Sequence, residues 1–92
     1  MKSRLQIVLF TLLFVPAAMA TAADTAHGMT LEQQHCTACH DSGVYTRDNR
    51  RVTTLAGLHT QVRRCELSLG LKWFDENVND VTAYLNESFY KF

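Results

Sequence analysis

No block of like charge, no internal repeat, no low-complexity tract and no sustained strand alternation occurs in this chain of 92 residues. The first absence argues against nucleic acid as a partner, because a phosphate backbone is bound by clustered lysines and arginines. The last argues against a sheet, since a half-buried strand needs a period of two bounded by turn signals. Proline is nearly missing too, and the single one, Pro16, interrupts the apolar N-terminal run.

That run belongs to a three-zone leader. Lys2 and Arg4 give a basic start, Leu5 to Val15 is almost continuously apolar, and Ala18-Met19-Ala20 supplies a small-x-small cleavage site. Crossing a bilayer takes roughly 20 apolar residues. The stretch falls short of that, so a cleaved signal peptide is expected and no transmembrane anchor after cleavage. The expected division is a signal peptide over 1–20, with Ala20-Thr21-Ala22 or Thr21-Ala22-Ala23 allowing cleavage as late as 23. A flexible polar lead-in then covers 21–28, and one folded domain 29–92. Export of this kind points to a bacterial periplasm.

Removing Lys2 and Arg4 turns the balanced formal charge mildly acidic. The remaining arginines crowd one stretch at Arg47, Arg50, Arg51, Arg63 and Arg64, whereas carboxylates dominate from Glu66 to the C-terminus. Such a cluster is ordinarily a solvated surface. Guanidinium groups also suit carboxylates geometrically, so one or two of them are candidates to neutralise a cofactor's acidic groups or to steer a partner. The exported part, about 70 residues, has a size at which one hydrophobic core supplies only a few kcal/mol and a staple, metal or cofactor is usually needed.

The periodicity that is present is helical, and the fold class expected is all-α. Thr30 with Gln33 forms a capping-box pattern that opens a short helix into the cysteine motif. The polar run from Asp41 to Arg51, with Ser42-Gly43 and Asp48-Asn49, is expected as a loop. Leu55, Leu58, Val62, Cys65 and Leu69 fall on one face of a second helix that Gly70 closes. A third starts near Asp75 as its cap and carries Val78, Val81, Tyr84, Leu85 and Phe89 on one face to the C-terminus.

Cys36-Thr37-Ala38-Cys39-His40 carries the chemistry. Cys-x-x-Cys-His is the attachment sequence of c-type haem: the two cysteines reach the vinyl groups on one edge of the porphyrin and the histidine comes under the iron as proximal ligand. The competing explanations are weaker. A structural zinc site needs four ligands and usually a second pair, which is lacking. A thioredoxin-like pair expects a preceding strand in a βαβ surround, and a plain disulfide leaves His40 unexplained. One covalent haem c, held by Cys36 and Cys39 with His40 on the iron, is the expected cofactor.

With these residues the chain resembles the class I c-type cytochromes. Asp80-Val81-Thr82-Ala83-Tyr84-Leu85 is similar to the family's C-terminal helix, whose aromatic and leucine cross the N-terminal helix, and Trp73 sits where such proteins often keep an aromatic against the haem. The resemblance covers roughly Met29 to Leu85. It implies a small cytochrome c-like fold of about three helices wrapped around the haem.

One departure concerns the sixth iron ligand. The methionines are Met1, Met19 and Met29, so none follows His40; Met29 is expected to pack at the first helix. His59 and Cys65 are the candidates. Six residues at 100° each set them about 120° apart on one helix, so only one faces the haem. Cys65 lies on the apolar face and His59 at its margin. Arg51-Val52-Thr53-Thr54-Leu55 and Val62-Arg63-Arg64-Cys65-Glu66-Leu67-Ser68-Leu69 are further similar to haem domains of thiosulfate dehydrogenase-like, sulfur-oxidising cytochromes, although the spacing between the two differs. That resemblance implies Cys65 as a thiolate distal ligand; His59 stays the alternative, and Arg63 and Arg64 are expected, as cationic neighbours, to help keep the sulfur deprotonated.

The function these resemblances imply is single-electron transfer, of low potential with His/Cys ligation, between transient redox partner proteins and without a catalytic residue. The alternatives are a haem enzyme or enzyme subunit in sulfur-compound oxidation, and a gas-binding or sensing haem protein.

Overall fold

A computed structural model describes residues 22–37 and 40–92. The stretch 1–20 expected as a signal peptide, and Cys39 of the Cys-x-x-Cys-His sequence, lie outside the described residues. Among those described the chain forms four helices, α1 Thr25–His35, α2 Gly43–Thr46, α3 Leu55–Leu69 and α4 Asp75–Leu85, the last running on into a π-helical turn Asn86–Tyr90, with no strand. The class is all-α, as the periodicity requires. No helix among these residues is long and apolar enough to cross a membrane.

Helix α1 begins upstream of the Thr30 pattern. Asp24, in extended conformation, caps it by accepting from the His27 backbone N–H at 3.0 Å. The residues from Thr25 to Gly28, expected as lead-in, are thus its first turn, and Thr30 lies inside it with its hydroxyl donating to the Ala26 carbonyl at 3.2 Å. The reason is tertiary. Asp80 on α4 fixes this end, one carboxylate oxygen accepting from the Asp24 N–H at 2.8 Å and the other bound to His27 Nδ1 at 2.9 Å. A distant anchor therefore overrides the local capping signal.

The expected loop over 41–51 contains the short helix α2. Asp41 Oδ1 accepts the Gly43 N–H at 2.9 Å, turning the chain so that Tyr45 points inward and is 6 % exposed. Helix α3 closes as expected at Gly70, in the left-handed region at φ 68°, and opens at Thr54, which accepts the Gly57 N–H at 3.0 Å. Helix α4 is capped differently from expectation. Phe74 is its N-cap and Asp75 already the first helical residue, with the Phe74 N–H donating to Asn77 Oδ1 at 3.0 Å. Asp75 and Glu76 instead complement the helix dipole in the first turn.

The core lies where α4 crosses α1 and packs on α3. Leu58, Val78 and Val81 are its fully buried side chains, and Tyr84 and Leu31 lie against it. The crossing is tight: a Cβ added at Gly28 would stand 2.1 Å from the Asp80 carbonyl oxygen. Only glycine lets the two backbones approach so closely. The wider π turn brings both Phe89 and Tyr90 to the core, and Lys91, at φ 62°, ends it by donating its N–H to Asn86 O at 2.7 Å.

Candidate functional site

Between the end of α1, α2, α3 and the C-terminal turn lies a cavity of about 470 Å³. That volume is in the range of cofactor and small-molecule sites, about 300–1,000 Å³. Its walls are largely apolar and aromatic, with Leu58, Val62, Leu85, Trp73, Tyr45 and Tyr90 among them.

Cys36 and His40 belong to this cavity. Cys36 extends α1, its N–H donating to the Glu32 carbonyl at 2.8 Å, and is half-buried. His40 Nδ1 is 3.0 Å from the Asp41 carbonyl. A carbonyl oxygen only accepts, so Nδ1 carries a proton here, the orientation that leaves Nε2 of a neutral imidazole as the nitrogen able to bind a metal. The ring is further braced edge-on by Tyr45, the centroids 5.4 Å apart.

Helix α3 contributes a second wall. Cys65 lines the cavity, half-buried, and accepts from Gln61 Nε2 at 3.3 Å. His59 does not line it. It is exposed, with Nε2 3.0 Å from Asn79 Oδ1 on α4. Of the two candidate ligands the fold brings Cys65, and not His59, to the cavity that holds Cys36 and His40. Met29 is exposed on α1, away from the cavity lining.

The arginines divide in the same way. Arg63, expected beside the sulfur, is engaged elsewhere: it donates to buried Glu66 at 2.8 Å, to the Trp73 carbonyl at 3.5 Å and to Asp75. Glu66, 2 % exposed, also accepts the Trp73 N–H at 3.3 Å, so this cluster sets the indole against the cavity. His35, at the end of α1, meets that indole edge-on, the ring centroids 5.9 Å apart. Arg47, Arg51 and Arg64 do line the cavity and are exposed, which places them at its mouth. Among the described residues none of the three carries an ion pair.

No protein family, curated protein or solved structure matches this chain.

Among the described residues no three His, Cys, Asp or Glu side chains gather as a metal cluster. The imidazole of His40 and the half-buried thiol of Cys65 on another wall, a largely apolar lining and guanidinium groups at the mouth are groups that could hold a metal-bearing cofactor with acidic side chains. Sequence patterns do not single out Tyr45, Gln61 or Tyr90 as lining residues. An aromatic in a polar loop is the one signal available for Tyr45; a glutamine one turn before a cysteine carries none.

Proposed function

We propose that this chain is the precursor of a small monohaem c-type cytochrome, exported to a bacterial periplasm and working in single-electron transfer. The carrying observation is that Cys65, on another helix, borders the same cavity of cofactor size as Cys36 and His40. The crossing of α1 and α4 at Gly28, Asp80 and Tyr84 supports the same reading, since class I cytochromes pair their first and last helices.

In this reading Cys36 and Cys39 would hold the group through thioethers, and His40, its Nδ1 facing the Asp41 carbonyl, and Cys65 would be the iron ligands. The haem supplies a one-electron iron couple. Leu58, Val62, Leu85 and Tyr90 exclude water around it, while Arg47, Arg51 and Arg64 offset negative charge at the mouth. A thiolate donates more charge than the methionine of His/Met cytochromes, so the centre works at low potential. Outer-sphere transfer needs an exposed edge and a small transient docking surface, not a substrate pocket.

The test is the intact mass and colour of the product exported from a bacterial host that matures c-type haem. A red protein with one haem added to the peptide holding Cys36 and Cys39 is expected. A colourless product of unmodified mass sinks the proposal.

The three arginines at the mouth also favour a second reading, an enzyme or enzyme subunit for a sulfur oxyanion. Thiosulfate mixed with the oxidised protein separates the two: catalytic reduction of the haem supports the enzyme and inertness the carrier. Ready binding of carbon monoxide by the reduced form would instead mark a gas-binding protein.

A further inference from the structure

We propose that Gln61 sets the electron-donating power of Cys65, its side-chain amide drawing charge from the sulfur and raising the reduction potential of the centre. The inference rests on the proposed ligand role of Cys65. Gln61 and Cys65 are one turn apart on α3 and share a face. Gln61 Nε2 stands 3.3 Å from Cys65 Sγ, and both side chains line the cavity.

The amide's orientation is fixed by a third group. Arg64 Nη1 lies 3.5 Å from Gln61 Oε1. A guanidinium only donates, so it selects the carbonyl end of the amide and leaves the NH₂ end for the sulfur. Polarisation then runs one way, from Arg64 through the amide to Cys65, and successive hydrogen bonds of this kind reinforce each other. Hydrogen bonds to a coordinating sulfur reduce its donation and are a principal lever on the potential of metal–thiolate centres. Gln61 is thus a positioning residue acting through Cys65. It also gives Arg64, and not Arg63, the electrostatic role beside the sulfur.

The experiment is spectroelectrochemical titration and ferric EPR of the purified holoprotein. Wild type is compared with Gln61→Leu, Gln61→Glu, Gln61→Lys and Cys65→Ala. Gln61→Leu removes the donor and is expected to lower the potential and move the sulfur-to-iron charge-transfer band to longer wavelength, with the low-spin signal retained. Gln61→Glu, nearly isosteric, replaces the donor by a carboxylate and shifts the potential the same way, which keeps the test open if the leucine variant does not accumulate. Gln61→Lys restores a donor and returns the potential to the wild-type value or above. Unchanged potentials across the Gln61 variants, with an altered ferric spectrum in Cys65→Ala, overturn this inference alone. A ferric spectrum unchanged in Cys65→Ala overturns the ligand assignment and the inference together.

Discussion

Tyr45 donates its hydroxyl proton to Glu32 across 2.8 Å, and the two residues are 6 % and 3 % exposed. This bond joins α1 to α2 directly behind His40, whose ring rests edge-on against Tyr45. It also fixes where the segment holding Cys36 sits, because the Glu32 carbonyl accepts the Cys36 and Thr37 N–H groups.

Replacing Tyr45 by phenylalanine keeps the ring and removes the hydroxyl that donates to the Glu32 carboxyl. Leaving a buried polar group without its partner costs about 1–3 kcal/mol. Tyr45→Phe is therefore expected to lower the urea midpoint of the holoprotein. Tyr45→Phe combined with Glu32→Leu should recover part of the loss, because both partners are then apolar. A single variant as stable as wild type would remove the bond from the account of the fold.

Gly28→Ala tests the helix crossing. Its methyl group would meet the Asp80 carbonyl at 2.1 Å and Tyr84 Cβ at 3.0 Å, both on α4, so one helix must move. Overpacking of this kind costs about 1–3 kcal/mol, and more where backbone is the obstacle. Thermal unfolding should show a markedly lower Tm. Gly57→Ala is the control, since its nearest neighbour is the Thr54 side chain at 3.0 Å and not another helix. Equal losses at the two positions would deny Gly28 its special place.

Alkaline stability depends on the same buried phenols. Burial raises Tyr45, Tyr84 and Tyr90 above the ordinary value of 10.0, and at Tyr45 the hydrogen bond to Glu32 and its negative charge raise it further. At Tyr90 the nearby Arg50 and Arg47 charges work against burial. The native state thus keeps protons that the unfolded chain releases above 10.0. Stability from these groups is fully present below that pH and is lost as pH rises beyond it. Urea midpoints should be flat from about pH 8 to about 9.5 and then fall. The fall should be shallower in Tyr45→Phe, and a midpoint constant to about pH 12 would contradict the assignment.

How far the sequence foretells all this depends on whether local pattern or distant partners decide an element. The ends of α3 follow from Thr54 and Gly70 because both act within one turn. Its apolar stripe places Leu58 and Val62 in the core, but Leu55 and Leu69 remain exposed near the ends, and Glu66 takes a buried position that a hydropathy pattern assigns to an apolar residue. Glu66 is tolerated there because Arg63 and the Trp73 N–H satisfy it. The start of α1 escapes its local pattern for the same reason, since Asp80 is 56 residues from the Asp24 it anchors. At the site, the facing of Cys65 is legible from its position on the stripe. The hydrogen bond of His59 to Asn79 and the diversion of Arg63 to Glu66 and Asp75 belong to helix packing and loop return, which no local spacing encodes.

His59 gives the sharpest comparison. Its side chain is exposed and bound to Asn79 on α4, outside the cavity lining, so its loss removes one surface hydrogen bond. Substitutions of that kind usually change stability by no more than about 0.5 kcal/mol. His59→Ala should leave the ferric EPR signal, the optical spectrum and the reduction potential at wild-type values. Cys65→Ala, on the wall shared with Gln61, should alter all three if the proposed ligation holds, because the variant then lacks the sulfur proposed to bind the iron. For His59 to reach that cavity, α3 would have to turn by about 120° about its axis, pulling Leu58 and Val62 out of the core. A low-spin signal lost in His59→Ala and kept in Cys65→Ala would reverse the assignment, and the facing of α3 toward the cavity would have to be abandoned with it.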